Sequence, residues 1–460
     1  MKVLLYRDEL RVRDFRPLKL LSEQMGEQFL VLFLLDRKPM AASAVWLHHA
    51  LKRLETDLGE LGIELQCFKG DCFQFFQELI KDYPVEVIYT NDSADPEKQK
   101  ENMLLKTQLA SCSIELNLTR SNHFFSKNEV LNNSGLPYTV FTPFYKKARE
   151  LIEMPGDNLE EPELEAGLQV KIGGSMKVDS LGLLPSLGWD KDFVPFFSGS
   201  DGKRLSASEQ LIGFVKNVVK YKENRDIPSI HGTSRLSPYL AWGEISLNEI
   251  LSGLMRAGVL SRSEPFVRQL FWREFAWQLL QHFPQTREKP LREQFEKFEY
   301  EENEKHLEAW RRGKTGVPIV DAGMRQLWKT GYMHNRVRMI VASYLIKNLL
   351  IHWKEGMKWF EHTLVDFDLA NNTLGWQWVA GCGADAAPYF RIFNPLTQSQ
   401  KFDPDGEYIR EYVPELAKLS SKEIHDPSAL SRSACKYPKA LVDLKKSREE
   451  ALKRYKESRG

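Results

Sequence analysis

The residues from 366 to 395 concentrate side chains that can do chemistry. The segment DFDLANNTLGWQW contains two carboxylates, two adjacent asparagines and two tryptophans, and Arg391 follows it. On a helix, Trp376 and Trp378 would point about 200° apart, so one can be buried while the other faces an open cavity. Tryptophan can pass electrons and can also stack on a planar ligand. We therefore interpret this segment as one that combines electron transfer with ligand stacking.

A second group of aromatic and polar residues lies in the segment EPFVRQLFWREFAWQLLQHF. Apolar residues recur there every four positions, which predicts the buried stripe of a long helix. The stripe consists of Phe271, Phe275, Leu279 and Phe283. Gln269, Trp272 and Arg273 are three and four residues apart and share another face of this helix. We expect these three side chains to line a cavity together.

The segment HNRVRMIVASYLIKNLLIHW predicts a third helix with a polar edge. Asn335, Arg338 and Met339 lie one turn apart beside an apolar stripe. An arginine on a largely apolar helix must pair with a carboxylate or reach solvent. Asp366 and Asp368 are the candidate partners.

Hydroxyl residues in HGTSRLSPYLAWGEIS suit a phosphate cradle. Thr233, Ser234 and Ser237 precede a predicted helix, where hydroxyls and backbone amides can hold phosphate oxygens. A plain helix cap explains the same residues equally well. RRGKTG is not a nucleotide P-loop, because Glu308 occupies the position of its first glycine. GCGADA at 381 to 386 matches a dinucleotide pattern only loosely and follows no predicted strand.

The elements that must position these residues fall into two halves. With 460 residues the chain is too long for one ordinary core. Five short apolar runs alternate with helical patterns such as 45–61 and 73–81, which favours a doubly wound parallel sheet. The runs are Val3–Tyr6, Phe29–Leu35, Ile63–Phe68, Val85–Thr90 and Ile114–Leu118. The first run lacks a glycine fingerprint after it, so a dinucleotide bound in the usual Rossmann way is not expected there.

Periodicity weakens in the middle of the chain, and helical patterns dominate after it. We predict an α/β domain over 1–125, a long interdomain connection over 126–204 and an all-α domain over 205–460. Of 11 tryptophans only Trp46 precedes residue 189, so the aromatic chemistry belongs to the last domain. We interpret the final segment LKKSREEALKRYKESRG as a solvated, charged helix or tail.

Composition excludes several classes of protein. The chain is 42% hydrophobic and 28% charged with a formal charge of +1, which is typical of a soluble globular protein without a general basic excess. It has no run of eighteen apolar residues and no secretory signal pattern, so we expect a cytoplasmic protein. Five cysteines without C-x-x-C or zinc spacing indicate reduced thiols and no metal site. They are Cys67, Cys72, Cys112, Cys382 and Cys435.

Six ordered motifs resemble the photolyase/cryptochrome family, and most closely its cyclobutane pyrimidine dimer photolyases. They are TSRLSPYLAWGEIS, FWREF, AWRRGKTGVPIVDAGMRQLW, YMHNRVRM, DFDLANNTLGWQW and DAAPYFRIFNP. The resemblance implies an N-terminal α/β domain, a long linker and a helical domain that holds U-shaped FAD beneath a hole for flipped bases. UV-damaged DNA containing pyrimidine dimers is the implied partner, and the implied state is a monomer.

The resemblance also assigns roles to residues at matching positions. The FAD phosphates and ribityl chain would be held by Tyr221, Thr233, Ser234, Arg235, Leu236 and Ser237. The rest of the flavin would be surrounded by Arg273, Tyr332, Asn335, Arg338, Asp366, Asp368 and Asn372. The flipped dimer and its phosphates would be contacted by Trp272, Trp378, Gln269, Asn335, Met339, Arg225, Arg336 and Arg391. Electrons would reach oxidised flavin through Trp376, Trp353 and Tyr300.

The implied reaction is electron donation from light-excited, fully reduced FAD to the dimer, splitting of the cyclobutane ring and return of the electron. Asn335 and Met339 favour cyclobutane dimers, and His334 is expected to be a structural helix residue. Two positions depart from the family pattern. Gln269 replaces a common glutamate, so repair is slower or the variant is tolerated. Tyr300 replaces the usual surface tryptophan, so photoreduction has altered kinetics or another aromatic such as Trp359 substitutes.

Three other functions are alternatives to light-driven repair. A cryptochrome-type FAD blue-light photoreceptor without repair activity is the main alternative, and Gln269 favours it. Retention of both Trp272 and Trp378 and a short chain after the last motif favour repair. A flavin oxidoreductase lacks a nicotinamide fingerprint here, and a non-catalytic DNA-binding protein would not explain the arginine and aspartate residues. A second antenna chromophore, folate or deazaflavin, is possible, although TNDSADPEKQKENMLL departs from the usual segment. No cysteine quartet for an iron–sulfur cluster is found.

Overall fold

The N-terminal half is built on a five-stranded parallel sheet with the strand order β3-β2-β1-β4-β5. This computed structural model describes residues 1–23, 26–154, 159, 168–386 and 390–458. The strands are β1 (Lys2–Tyr6), β2 (Phe29–Leu35), β3 (Gln66–Lys69), β4 (Val87–Asn91) and β5 (Glu115–Thr119). The predicted α/β class of this half, with an all-α half after it, is confirmed.

Both faces of the sheet are buried, as parallel sheets require. Leu4 and Val31 belong to the core on one face, and Val3 and Leu30 belong to the core on the other. Helices cover both faces, α1 and α2 the first and α3 and α4 the second. Their bounds are α1 (Arg16–Ser22), α2 (Ala41–Glu60), α3 (Cys72–Asp82) and α4 (Pro96–Ser111).

The third predicted strand begins later than its apolar run indicates. β3 starts at Gln66, whereas the run starts at Ile63. Ile63 is buried, but its backbone N–H donates to Leu58 O and so closes the end of α2. The apolar character of this residue therefore serves a helix end before the strand begins.

The segment predicted as an interdomain connection contains more structure than its sequence indicates. It includes α5 (Phe141–Leu151) and α6 (Phe193–Phe196), and Phe141 and Phe144 are fully buried. Much of the MPGDNLEEPELEAG stretch that motivated the prediction, namely 155–158 and 160–167, lies outside the described residues. The domain bounds themselves stay predictions.

The C-terminal half consists of helices; those over 207–282 share the core on the first face of the sheet, and most of the later ones surround a second core. They are α7 (Ala207–Val215), α8 (Tyr221–Asn224), α9 (Ser237–Ala241), α10 (Leu247–Arg256), α11 (Glu264–His282), α12 (Glu304–Arg311), α13 (Pro318–Thr330), α14 (Asn335–Lys347), α15 (Trp353–Thr363), α16 (Leu369–Ala380), α17 (Pro395–Phe402), α18 (Glu407–Tyr412), α19 (Ala429–Cys435) and α20 (Leu444–Ser458). Helices α11, α14 and α15 all pack against α16, which carries the residues of the richest segment. The described part of the chain has no helix that could span a membrane.

The last helix is not simply a solvated tail. Ala451 of α20 is fully buried, and the Tyr455 ring stacks on Phe390 with a centroid distance of 4.6 Å. The strongly charged composition of the segment gave no indication of this apolar edge. The prediction of a helix was right, but that of a purely solvated one was wrong.

Candidate flavin and substrate site

A partly buried ion pair joins α14, the segment just before α16, and α9 in the helical half. Arg338 donates to both carboxylate oxygens of Asp366, at 2.9 and 2.8 Å, and its Nε donates to Met333 O at 2.8 Å. The Ser237 hydroxyl donates to the same carboxylate at 2.7 Å. Asp366 is thus the partner of Arg338 among the two candidates. The arrangement leaves one compensated charge pair, which suits contact with a polar heterocycle.

Asp368 has a different role, because it caps the N-terminus of α16. Its carboxylate accepts from the Asn371 backbone N–H at 2.8 Å and from Trp277 Nε1 at 3.0 Å. One turn later, Asn372 donates from its side-chain amide to Met357 O at 3.1 Å. That bond fixes the amide and leaves its oxygen as the acceptor end. Trp277 was not predicted from the sequence; it lies one turn beyond Arg273 on α11, and that spacing was its only signal.

The loop before α9 brings the predicted phosphate-binding residues together. Arg235 has a left-handed backbone, with φ at 52°, a conformation that costs energy for a residue other than glycine. Its guanidinium donates to Phe196 O at 3.2 Å and lies 4.3 Å from the centre of the Phe196 ring. The Ser234 hydroxyl accepts from the backbone N–H of Leu236. Strain concentrated in a polar loop is typical of a ligand-binding turn.

Two tyrosines border this loop. Tyr221 on α8 is buried, and burial raises its pKa to about 12. Tyr332 precedes α14, and the Arg338 guanidinium lies 5.3 Å from its ring centre. Burial raises the pKa of Tyr332, whose hydroxyl hydrogen-bonds to the side chain of Thr233. Both phenols are therefore neutral donors at ordinary pH.

Arg273 does not share its contacts with Gln269 and Trp272 as the helical spacing predicts. Its guanidinium donates to Asn122 O at 2.9 Å and to Glu274 at 3.3 Å. Glu274 is buried and also accepts from the Phe124 backbone N–H. Asn122 and Phe124 follow β5, so their bonds to Arg273 and Glu274 connect α11 to the first half. Its contact with FAD stays a prediction.

The two tryptophans predicted to sandwich the substrate are both half-buried. Trp272 on α11 stacks on Phe141, with a centroid distance of 3.7 Å and an interplanar angle of 7°. Trp378 on α16 donates from Nε1 to Asp385 O at 3.1 Å and lies near Phe393. Each ring is therefore supported from one side. As predicted, the two tryptophans of α16 differ in exposure: Trp376 is buried, and Trp378 is half-buried.

Polar residues predicted to contact substrate surround these rings. Asn335 at the start of α14 is exposed, and Met339 one turn later is half-buried. The Gln269 side-chain nitrogen donates to Pro265 O at 3.1 Å on its own helix. This bond leaves the oxygen of the amide as the group available to a ligand donor.

The predicted phosphate-binding arginines differ in how far a neighbouring carboxylate already compensates their charge. Arg336 donates to Asp226 at 2.9 Å and stacks over Phe402, so part of its charge is already compensated. Arg225 lies 4.0 Å from the same carboxylate. Arg391 is exposed, and its guanidinium lies 5.1 Å from the Phe393 ring centre.

The predicted electron route runs outward from α16 to the surface. Trp376 is 2% exposed and lies between Phe360 and Trp310, at centroid distances of 5.0 and 6.2 Å. Trp353 is equally buried, and the His352 ring lies between it and Tyr300. Burial raises the pKa of Tyr300 well above its ordinary value, so its oxidation must release a proton against a strong preference to keep it.

A second aromatic pair reaches the surface near the same helix. Trp359 on α15 stacks on Trp328 with a centroid distance of 6.0 Å and an interplanar angle of 6°. Trp328 is 59% exposed. The alternative exit through Trp359 thus has an exposed partner that the sequence analysis did not identify.

His334 has the structural position predicted for it. It is the N-cap of α14, and its Nδ1 accepts from the Arg336 backbone N–H at 3.2 Å. Burial lowers the pKa of His334 to about 4. The ring is therefore neutral at physiological pH.

The chemistry of this site fits FAD. A flavin ring needs donors and acceptors for its carbonyl and N–H groups, and Arg338, Asp366 and Asn372 supply both kinds. A pyrophosphate needs hydroxyl and cationic groups, and the loop at 233–237 supplies them. The described residues contain no cluster of side chains that could hold a metal ion. Fold and site together define a class: a flavoprotein with an α/β half and a helical FAD-binding half.

Comparison with known proteins narrows this class to one family. Residues 266–457 match the family model for the FAD binding domain of DNA photolyase, and residues 2–163 match the model for DNA photolyase. The chain belongs to the DNA photolyase family, and FAD is its cofactor.

Relatives and solved structures agree over almost the full length. A deoxyribodipyrimidine photo-lyase of Agrobacterium fabrum is 39% identical over 98% of this chain and 96% of its own length. A bacterial class III photolyase from Agrobacterium tumefaciens superposes with a TM-score of 0.91 and 38% identity, over 100% of this chain and 97% of that one. A Synechocystis cryptochrome superposes with a TM-score of 0.81 and 26% identity, over 98% of each chain.

Proposed function

We propose that this protein repairs cyclobutane pyrimidine dimers in DNA when it absorbs blue light. The observation that carries the proposal is the pair of half-buried tryptophans, Trp272, which stacks on Phe141, and Trp378, which is anchored through its indole N–H. A dimer flipped out of the duplex offers two pyrimidine rings for such stacking. Flipping costs a few kcal/mol and is easiest where damage has already weakened the stack, which favours dimers over intact bases.

Each polar residue of the site has a task in this reaction. The exposed amide of Asn335 and the side-chain oxygen of Gln269 are available to hydrogen-bond the edges of the flipped bases. Arg391 and Arg225 offer positive charge to the DNA backbone, so binding is expected to weaken as salt rises. Phosphate contact by Arg336 would compete with its bond to Asp226.

The flavin-side residues orient the cofactor and keep water and stray protons away. When bound, reduced FAD that has absorbed light supplies one electron to the dimer and recovers it after the ring splits. Asp366 compensates the charge of Arg338, so the pair would present no uncompensated charge to a bound flavin. Buried Trp376 would pass electrons to oxidised flavin, with Trp353 and then Tyr300 or Trp359 beyond it in the proposed route.

A blue-light photoreceptor without repair activity is the alternative function. It is favoured by Gln269 in place of the glutamate that dimer photolyases commonly carry, and by likeness to the Synechocystis cryptochrome. A neutral amide accepts hydrogen bonds less strongly than a carboxylate. The two functions differ in whether light restores a damaged substrate.

The test is repair of oligonucleotides that carry one thymine cyclobutane dimer or one (6-4) photoproduct, with reduced protein in light and in darkness. We expect restored thymines only from the cyclobutane dimer and only in light. The Gln269→Glu variant should raise the yield per absorbed photon, because a carboxylate is the stronger acceptor. A flavin-loaded protein that repairs neither substrate would make the photoreceptor the correct function.

A further inference from the structure

The two stacking tryptophans lie on different helices, so something must set their relative placement. Trp272 belongs to α11 and Trp378 to α16. The contacts that hold the two rings involve one short segment and one residue, which are hydrogen-bonded to each other. The segment is 139–141, just before and at the start of α5, and the residue is Asp385 in the loop after α16.

Trp272 is held in place from behind by this segment. The Phe141 ring covers one of its faces at 3.7 Å and nearly in parallel. Phe141 itself is 1% exposed and is fixed by the Arg268 guanidinium, which lies 4.8 Å from its ring centre. A shift of the 139–141 backbone would therefore move the surface on which Trp272 rests.

Trp378 is held by Asp385. Its indole N–H donates to the backbone carbonyl of Asp385 at 3.1 Å. Gly381 ends α16, and only a short loop separates this helix end from Asp385. The ring position consequently depends on where the backbone of Asp385 is anchored.

That anchor is the segment behind Trp272. The backbone N–H of Asp385 donates to Thr139 O at 3.0 Å, and its carboxylate accepts from the Phe141 backbone N–H at 3.1 Å. Asp385 adopts a left-handed backbone with φ at 49°. A residue other than glycine holds this conformation only where its surroundings over-determine it, and such positions cluster at functional sites.

We propose that Asp385 is a positioning residue that couples Trp272 to Trp378 and thereby sets the gap into which the damaged bases fit. This inference rests on the proposed function, since the gap matters only if a flipped dimer enters it. Asp385 takes no part in electron transfer. It makes recognition of damage depend on three hydrogen bonds that hold two helices and the 139–141 segment in register.

The test compares Asp385→Gly with Asp385→Asn in the FAD-loaded protein. Glycine accepts the left-handed backbone without strain but removes the carboxylate, whereas asparagine tolerates the same backbone and keeps an acceptor. Ser113→Gly is the matched control, because Ser113 is an exposed left-handed residue of the first half. Dark binding to oligonucleotides with and without a thymine cyclobutane dimer is measured, followed by repair per bound dimer in light.

We expect Asp385→Gly to weaken dimer binding about tenfold, as loss of a bond to a charged acceptor implies. Binding of undamaged DNA, flavin content and repair per bound dimer should stay at the level of the unaltered protein. Asp385→Asn should restore most of the affinity, and Ser113→Gly should change nothing. Equal weakening for damaged and undamaged DNA would assign Asp385 to general folding and overturn the proposal.

A second substitution keeps the proposal testable if Asp385→Gly folds poorly. Phe141→Leu removes the ring behind Trp272 but keeps the backbone N–H that Asp385 accepts. Coupling predicts that the effects of Phe141→Leu and Asp385→Asn on dimer affinity are non-additive, and strict additivity would contradict it. If the unaltered protein showed no preference for dimer DNA, the proposed function would fail. A preference that survived Asp385→Gly unchanged would refute only the inference.

Discussion

Removal of the Asp366 carboxylate should release the flavin before the protein unfolds. Asp366 is 3% exposed in its side chain and accepts two bonds from Arg338 and one from Ser237. Asp366→Ala leaves the Arg338 guanidinium without its carboxylate, and because this side chain is 23% exposed the cost should lie towards the lower end of the about 3 to 5 kcal/mol for breaking a buried pair. Asp366→Asn keeps an acceptor and should cost about 1 to 2 kcal/mol.

The control is a second buried pair, which packs against Tyr239 of α9 and hydrogen-bonds to Trp46 and His49 of the first half. Arg204 donates to both carboxylate oxygens of Glu244, and the two side chains are 9% and 4% exposed. Glu244 also accepts from Trp46 Nε1, so Glu244→Ala should destabilise the fold by a similar amount. Only the Asp366 variants should lose affinity for FAD.

One heating ramp separates the two effects. Flavin fluorescence reports release of FAD, and far-ultraviolet circular dichroism reports loss of helices. We expect release and unfolding to coincide in Glu244→Ala, at a lower temperature than in the unaltered protein. In Asp366→Ala the flavin should leave first, because bound ligand stabilises the fold only while affinity lasts. Coincident release and unfolding in Asp366→Ala, with unaltered affinity for FAD, would refute the assigned role of the ion pair.

Four further substitutions test other parts of the site. Gly356→Ala should destabilise the protein by about 1 to 3 kcal/mol in thermal unfolding, because its Cβ would lie 2.0 Å from the Trp376 ring. Gly375→Ala on α16 meets nothing within 4 Å and should stabilise the helix by up to about 1 kcal/mol. Tyr300→Trp should speed flavin photoreduction and abolish its solvent isotope effect, because burial raises the pKa of the tyrosine and couples oxidation to proton release. His334→Asn should flatten the acid dependence of stability while keeping the cap, since burial lowers the pKa of the histidine from 6.5 to about 4.

The sign of the acid dependence follows from the direction of that pKa shift. His334 is neutral in the folded protein, so its contribution is complete above pH 6.5 and is lost as pH falls towards about 4. The loss amounts to about 3 kcal/mol over this window. An unchanged slope in His334→Asn would contradict the assignment. Equal stabilities of Gly356→Ala and Gly375→Ala would contradict the packing argument. A solvent isotope effect that persists in Tyr300→Trp would contradict the proposed electron route.

The elements of the fold were largely predictable because their signals are local. Buried parallel strands such as Phe29–Leu35 are continuous apolar runs, and α11 shows its buried stripe every four residues. Arg338 was expected to pair with a carboxylate or to reach solvent, and the sequence offered two candidate carboxylates. It could not choose between them, because the choice depends on how α14 packs against α16.

The features that the sequence did not predict are set by contacts between distant segments. Phe141 lies in a stretch of weak periodicity, and only its stacking on Trp272 shows that α5 is part of the site. Arg273 has the helical spacing of a cavity residue, but its guanidinium donates to Asn122 O of the first half and to the neighbouring Glu274. Asp385 opens the motif DAAPYFRIFNP, but nothing in that segment indicates that its backbone and carboxylate contact the distant segment 139–141.

The central claim is that light repairs dimers catalytically and without net redox change. The most direct measurement counts the thymine dimers restored per bound FAD when a large excess of damaged oligonucleotide is illuminated with reduced protein under anaerobic conditions. We expect many dimers restored per flavin, with no consumption of reductant beyond that needed to reduce FAD once. A yield that stops at one dimer per flavin, or that requires fresh reductant for each dimer, would contradict it.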